Sequence, residues 1–414
     1  MPKPSQLKFA VLQPGARLHY AVPAILERSG MLQRFYTDFC ASVGPARFAE
    51  RIWPDRLRPS FARRMLGRKL PANLTTANVR QVSSAVVAAH IAGKIGLSAI
   101  RGSISHALIK RARNDKLGGA NAIYTVIVND DIEFCEEAKA RGFRIVHEVM
   151  LNPDIGWHLT EEHQRFPEVP WNIPSFAEIS EGRTRDRRKY EVADLILVPS
   201  EFVYHSVIAL GADPKKVELV PYGVDASWLD TEPKPIPGRV LFVGTVGLLK
   251  GSHYLAAAAR LLHERNVPCE IRVVGPVTNA QKSDPLFQGP TYVGQVPRTS
   301  VQREFLAADL FVLPTLSDGF ALVHLEALAS AVPVITTPNC GSVVRDGQDG
   351  IIIPIRNPEA LADAIERIVT DRDLRQRMSR SARDRAKEFT WEKYGERLIN
   401  ACSKLEPTCA DKLP

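Results

Sequence analysis

From Arg239 onward, short apolar runs alternate with stretches of helical periodicity. RVLFVG (239–244), CEIRVVG (269–275), TYVGQV (291–296), LFVLPT (310–315), VPVITT (332–337) and GIIIPI (350–355) read as strands. Between them the pattern predicts helices from Ser252 to about Arg265, over SVQREFLAAD and over GFALVHLEALASA. Another helix opens at NPEALADAIERIV, with Asn357 as N-cap and Pro358 in the first helical position. Apolar strands alternating with helices predict a parallel sheet covered on both faces, a doubly wound α/β domain.

The first half carries the same signal more faintly. LKFAVLQPG (7–15), AIYTVIVND (122–130), FRIVHEV (143–149) and ADLILVPS (193–200) read as strands, separated by helical segments such as Ile132–Gly142. A long, basic, helical insertion is expected between about Arg47 and Lys116. Pro and Gly cluster over VPYGVDASWLDTEPKPIPG (220–238), as in a linker. The predicted architecture is two Rossmann-like domains, 1–220 and 221–390, facing each other across a central cleft. A C-terminal helix over about 391–414 is expected to pack back on the first.

Composition narrows the class. The chain has 414 residues, 45% hydrophobic and 24% charged, which suits two or three globular domains and excludes a disordered or fibrous chain. The densest apolar stretch, Ala321 to Ile335, is interrupted by His324, Glu326 and Pro333, and the N-terminus lacks the apolar core of a secretory signal. A soluble cytoplasmic protein is expected. Its six cysteines (40, 135, 269, 340, 402 and 409) form no CxxC pair, so they read as reduced thiols. No HExxH or similar cluster is present, and no metal is expected.

Charge is distributed unevenly. Residues 1–120 carry 20 Lys/Arg against 5 Asp/Glu, whereas residues 121–414 carry 34 against 41. The basic N-terminal part is suited to an anionic partner such as membrane lipid, a phosphorylated acceptor or nucleic acid. Within it, WPDRLRPSFARRMLGRKL (53–70) interleaves Trp53, Leu57, Phe61, Met65, Leu66 and Leu70 with six Arg/Lys. Positions 57, 61 and 65 fall at helical spacing and predict a basic amphipathic helix; it is suited either to an anionic membrane surface or to a core helix with a solvated basic face. Nucleic acid is disfavoured, because no reading motif or aromatic-studded strand accompanies the charge.

The richest candidate chemistry lies in SDGFALVHLEALASAVPVI (317–335). Its helix is apolar nearly all round, so a carboxylate at Glu326 is expensive to bury without donors, and a ligand diol would supply two. Asp318 precedes the helix, about two turns or 12 Å along the axis from Glu326. The free N–H groups of Gly319, Phe320 and Ala321 would form an anion site. An ordinary N-cap at Asp318 and a half-exposed Glu326 account for the spacing equally well. In FVGTVGLLKGSHYL (242–255), Gly244 ends a strand and Lys250-Gly251 precedes a helix. The order Lys-Gly-Ser is not that of a P-loop, but a strand-end glycine with a nearby lysine can hold a phosphate.

Together and in this order, these segments resemble the family 4 glycosyltransferases (glycosyl transferases group 1) of the GT-B fold. SDGFALVHLEALASAVPVI is similar to that family's E-x7-E region and LFVGTVGLLKG to its VGR-x-x-x-x-KG loop. VELVPYGVDASWL and AADLFVLPT match flanking segments, and the resemblance is strong over about 195–395. It implies a metal-independent hexosyltransferase that moves a sugar from a nucleotide-sugar co-substrate to an acceptor hydroxyl and retains anomeric configuration. Glu326 would accept the ribose hydroxyls. Asp318, with the amides of Gly319, Phe320, Ala321 and the neighbouring Leu322, would hold the donor sugar and its phosphate. Lys250 would neutralise the pyrophosphate, Gly294 to Val296 would border the base, and His147 would face the donor sugar as a strand-end histidine.

Three departures stand out. Asp318 replaces a glutamate, Thr245 stands where the family has a phosphate-binding arginine, and the loop QPGARLHYAVPAI keeps Gly15 but lacks the family's glycine pair. They leave open a GT-B protein without transferase activity, beside a phosphorylase, an epimerase or a basic nucleic-acid- or membrane-binding protein. With the basic N-terminal region, the resemblance suggests a sugar or lipid-linked acceptor in envelope polysaccharide or glycolipid synthesis, met peripherally at the inner face of the membrane.

Overall fold

The computed structural model describes residues 7–44, 46–48, 53–58, 60–82, 101–127, 131–170 and 173–405. Asp130, Cys409 and the end of the expected C-terminal helix lie outside the described residues. Seven strands form the first sheet: β1 (Phe9–Leu12), β2 (Leu32–Thr37), β3 (Val79–Gln81), β4 (Ala122–Thr125), β5 (Arg144–Glu148), β6 (Leu195–Val198) and β7 (Val217–Leu219). Six form the second: β8 (Arg239–Val243), β9 (Glu270–Val274), β10 (Thr291–Gly294), β11 (Leu310–Leu313), β12 (Val334–Thr336) and β13 (Gly350–Ile352). The orders are β3-β2-β1-β4-β5-β6-β7 and β10-β9-β8-β11-β12-β13, and the named pairs are parallel. The central strands β1, β4, β6 and β11 are buried along their whole length, as strands covered on both faces must be.

The ten strands expected from the sequence are present, each shorter than its apolar run. Asn357 caps the helix Pro358–Thr370 by accepting from the Ala360 N–H at 2.8 Å, and Pro358 sits in its first turn. Three further strands, β2, β3 and β7, carry no continuous apolar run. β3 and β7 are the edges of the first sheet, where a solvated face tolerates polar side chains.

Within the expected basic insertion, Ser60–Leu66 and Arg101–Asn114 are helical, whereas β3 belongs to the sheet. The amphipathic helix expected over 53–70 is corrected. The α-helix there covers only Ser60–Leu66; Leu57 lies outside it and is exposed, whereas Met65 and Leu66 are buried. Positions 57, 61 and 65 therefore fall in two elements, the 3₁₀ turn Asp55–Leu57 and the helix Ser60–Leu66.

The chain passes between the two halves twice at one place. Val224 pairs with Thr390, its N–H bonding the Phe389 carbonyl at 2.8 Å, while the Trp391 N–H returns to Val224 at 3.3 Å. From there the helix Trp391–Ser403 runs back against the helix Ala21–Arg28 of the first half. A second tie comes from the helix Ile155–Arg165, whose fully buried Glu162 reaches into the C-terminal half. Its carboxylate receives the Tyr254 hydroxyl at 2.6 Å and the Arg356 Nε at 2.7 Å, and lies 2.8 Å from the His253 ring. Burial pushes the Glu162 pKa up, but these bonds prevail and hold it below the usual carboxylate value.

Candidate active site

Residues that follow the carboxyl ends of β1, β5 and β11 meet across the halves, Ala16 at a shared cavity and Met150 against Gly319, and strand carboxyl ends are where open α/β sheets bind ligands. A cavity of about 840 Å³ lies between the halves. The first half lines it with Ala16, Leu18, His19 and the helix Ala21–Arg28; the second lines it with Arg298, Thr299, Gln302, Leu322, Val323 and Glu326.

Glu326 sits in the helix Leu322–Ala329, whose residues His324, Leu325, Ala327, Leu328 and Ala329 are buried. Its side chain is 13% exposed and accepts one hydrogen bond, from the Arg298 Nη2 at 3.3 Å. Arg298 is 66% exposed and contributes little at that distance. Burial raises the Glu326 pKa above the ordinary value, and Arg298 only partly opposes it. The carboxylate is thus desolvated and under-partnered, yet opens onto a cavity.

Asp318 does not continue that helix. Three residues separate it from Leu322 in a loop that bridges Asp318 to Cys340, so the expected two-turn separation along one axis is corrected. Nor is Asp318 a cap: the N-cap is Ala321, with no side-chain bond. The Ala321 N–H is also not free, since it donates to Gly341 O at 3.0 Å. Asp318 instead pairs with Lys250, which joins the two segments singled out in the sequence. Lys250 is placed by Gly251, whose φ of +67° and approach to the Pro314 carbonyl exclude a side chain.

Gly319 lies at the contact between halves. An added Cβ would meet the Met150 carbonyl oxygen at 2.0 Å, and the Gly319 carbonyl accepts from Ser200 Oγ at 2.7 Å. The Phe320 ring packs edge-on against Tyr222 at 5.1 Å. Tyr222 belongs to a buried hub that sequence reasoning missed. Glu148, at the end of β5, receives Arg17 Nη2 at 2.7 Å, the Tyr124 hydroxyl at 2.6 Å and the Tyr222 hydroxyl at 2.5 Å. Burial would raise the Glu148 pKa, but the Arg17 charge and these bonds hold it below the usual carboxylate value. The hub thereby ties the loop after β1 to Phe320.

That loop is strained. Gly15 takes φ +76° and donates its N–H to Asp38 Oδ1 at 2.8 Å, and the next residues are pinned by Arg17. Leu18, His19 and Tyr20 then take φ of 48°, 51° and 62°, a conformation that costs non-glycine residues about 1–3 kcal/mol each.

The remaining expected residues are distributed along the strand ends. Gly244 and Gly294 flank Gly275, whose N–H bonds Gly294 O at 2.9 Å and whose own Cβ would meet Gly244 O. Thr245 is exposed and Val296 half-buried. Of the expected donor-binding residues, Leu322 and Glu326 line the large cavity. His147 does not. It lines a separate cavity of about 210 Å³ with Asn152, Arg183, Asp186 and Lys189. Burial, then the Lys189 ammonium, holds its pKa well below the usual value, and Nδ1 has no partner among the described residues. His147, expected to face the donor sugar, thus stands in the wall of this second cavity. Among the described residues, no group of three or more His, Cys, Asp or Glu is arranged to hold a metal.

Residues 237–371 match the family model of the glycosyl transferases group 1. The match covers about a third of the chain and lies within its C-terminal half. Among relatives, the chain is 28% identical to the D-inositol 3-phosphate glycosyltransferase of Paenarthrobacter aurescens, over 69% of the chain and 73% of the relative. The enzymes of that name from Corynebacterium urealyticum and Kribbella flavida are matched over only 46% and 58% of their length. The α-maltose-1-phosphate synthase of Mycolicibacterium smegmatis is 26% identical over 70% of the chain and 85% of the relative. Solved structures show the same GT-B fold. Sucrose-phosphate synthase from Thermosynechococcus elongatus has a TM-score of 0.65, at 17% identity over 96% of the chain and 99% of that structure. Anabaena HepE in complex with UDP and glucose has a TM-score of 0.59, at 13% identity over 97% and 100%.

The raised Glu326 pKa carries a stability consequence. The folded state disfavours the ionised carboxylate, so the penalty is absent at acid pH and grows as pH rises through the ordinary value of 4.5 toward the folded one. Glu326→Gln is expected to raise the melting midpoint at pH 7 by about 1–3 °C, with the gap closing on acidification toward the unfolded pKa. Calorimetric scans of both proteins across pH check it.

Proposed function

We propose that this glycosyltransferase moves a hexose from a nucleotide-sugar to an acceptor hydroxyl with retention of configuration and without a divalent metal. The reading rests chiefly on Glu326, a desolvated carboxylate facing a cavity between halves and matched to the two donors of a ribose diol. HepE holds UDP in a protein of the same fold, which favours a uridine nucleotide as the first donor to try. In this reading the diphosphate takes Lys250 from Asp318, the released Asp318 carboxylate accepts from sugar hydroxyls, and the Lys250 charge offsets the negative charge of the leaving group. The N–H groups of Gly319 and Phe320 add donors at the same point, while Gly244, Thr245 and Gly294 let the nucleotide approach the strand ends. The reacting carbon becomes oxocarbenium-like as the diphosphate departs. Contact of Gly319 with Met150 closes one edge of the site against water. No step is assigned to His147.

Glu326→Ala is expected to lose nucleoside diphosphate affinity and transfer by at least about a hundred-fold, while EDTA leaves wild-type turnover unchanged. Thermal shift against UDP, GDP and ADP, followed by product analysis with the nucleotide-sugar of the base that binds, reads both. Retained affinity in the variant contradicts the assignment.

The acceptor is proposed to be a sugar or lipid-linked saccharide of the envelope, met at an anionic membrane surface. Trp53 and Leu57 stand exposed in the basic N-terminal part, and no helix among the described residues is long and apolar enough to cross a membrane. Co-sedimentation is expected with vesicles containing anionic lipid and not with neutral ones; equal recovery from both contradicts it.

A further inference from the structure

The loop after β1 displays one side chain at the expense of its backbone. Arg17 is held by Glu148 and Tyr222 on one side, and the Tyr20 hydroxyl by the Phe39 carbonyl at 3.1 Å on the other. Between these anchors Leu18 and Tyr20 are buried, whereas His19 is exposed at the wall of the 840 Å³ cavity. Three consecutive left-handed residues hold it there. Such strain persists only where the surroundings over-determine it, and it concentrates at ligand sites. The His19 ring makes no hydrogen bond among the described residues, and the groups acting on it belong to the opposite wall and the connection between halves.

Arg298 opens the helix Arg298–Leu306 and lies close enough for its charge to disfavour a protonated His19. Asp225 of the connection acts in the opposite sense, although its carboxylate is engaged by the Ser227 N–H at 2.9 Å. Glu326 faces the same space from its helix, and Arg28 and Glu392 line the cavity. Without a ligand, Arg298 spends its charge on Glu326. A diol on that carboxylate would release an exposed, mobile guanidinium beside an imidazole, with a cavity between them. Two potential cations that repel each other when the site is empty are suited to an anion.

We propose that His19 and Arg298, from opposite halves, close on a phosphoryl group bound in this cavity. The clamp rests on the reading of Glu326 as the diol acceptor. Partial desolvation at the cavity wall, then the Arg298 charge, lowers the His19 pKa in the empty site, so the arriving anion draws a proton onto the ring, and binding weakens as pH rises past the imidazole range. The phosphoryl group belongs either to the donor's diphosphate or to a phosphorylated acceptor.

Calorimetry of wild type, His19→Gln and Arg298→Ala with UDP and with uridine, in buffers of different ionisation enthalpy, separates these. GDP or ADP with its nucleoside replaces the pair if it binds better. A donor phosphate predicts proton uptake by wild type, about ten-fold weaker diphosphate binding in each variant, and nucleoside binding no weaker than in wild type. An acceptor phosphate predicts unchanged diphosphate binding, but loss in both variants of the thermal shift that inorganic phosphate gives the wild type. Variants that match wild type toward diphosphate and inorganic phosphate alike overturn the clamp. Failure of the wild type to bind any nucleoside diphosphate would instead count against Glu326 as diol acceptor, and the inorganic phosphate arm would still decide the clamp.

Discussion

A carboxylate removed from water needs donors, and Glu326 has one long bond to an arginine that is itself mostly solvated. This deficit organises the site. The helix Leu322–Ala329 is apolar around Glu326, so the side chain cannot relax into a protein hydrogen-bond network. Its open direction is the cavity between the halves. The fold therefore carries a local instability that a ligand with paired hydroxyls would relieve, which is the thermodynamic form of a binding site that is formed before its ligand arrives.

The rest of the structure keeps that cavity in place. Glu162, inserted from the first half, is satisfied entirely by groups of the second, and its buried bonds make separation of the halves costly on that side. Glu148 does the corresponding work within the cleft, fixing Arg17 and Tyr222, and through Tyr222 the Phe320 ring. Gly319 permits the closest approach, carbonyl against backbone, where any side chain would hold the halves apart. Binding in the cavity and geometry at the Lys250–Asp318 pair are thus mechanically connected.

Much of this was legible in the sequence because parallel strands buried on both faces need continuous apolar runs, as RVLFVG and LFVLPT have. The same rule hid β2, β3 and β7, whose polar positions a strand at or near a sheet edge tolerates. Glu326 was legible because a charge in an apolar helix is anomalous whatever its surroundings. Asp318 and Lys250 were each recognisable, but their ion pair was not, since they lie 68 positions apart and meet only through the sheet. Glu148, Arg17 and Arg298 resemble ordinary polar residues in the sequence; their roles arise from partners brought together by tertiary structure. His19 is the plainest case. Its importance rests on a backbone conformation that residue type does not announce. The reading of 53–70 erred for the opposite reason: spacing at 57, 61 and 65 suggested one helix, but Leu57 closes a separate 3₁₀ turn ahead of the helix Ser60–Leu66.

The central claim is that Glu326 is held for a vicinal diol. The direct test is to titrate the protein with the nucleoside diphosphate that binds it and with the 2′,3′-dideoxy analogue of that compound. Two hydrogen bonds to a charged group predict affinity weaker by about a hundred-fold or more for the analogue. Equal affinities for the two compounds would contradict the account.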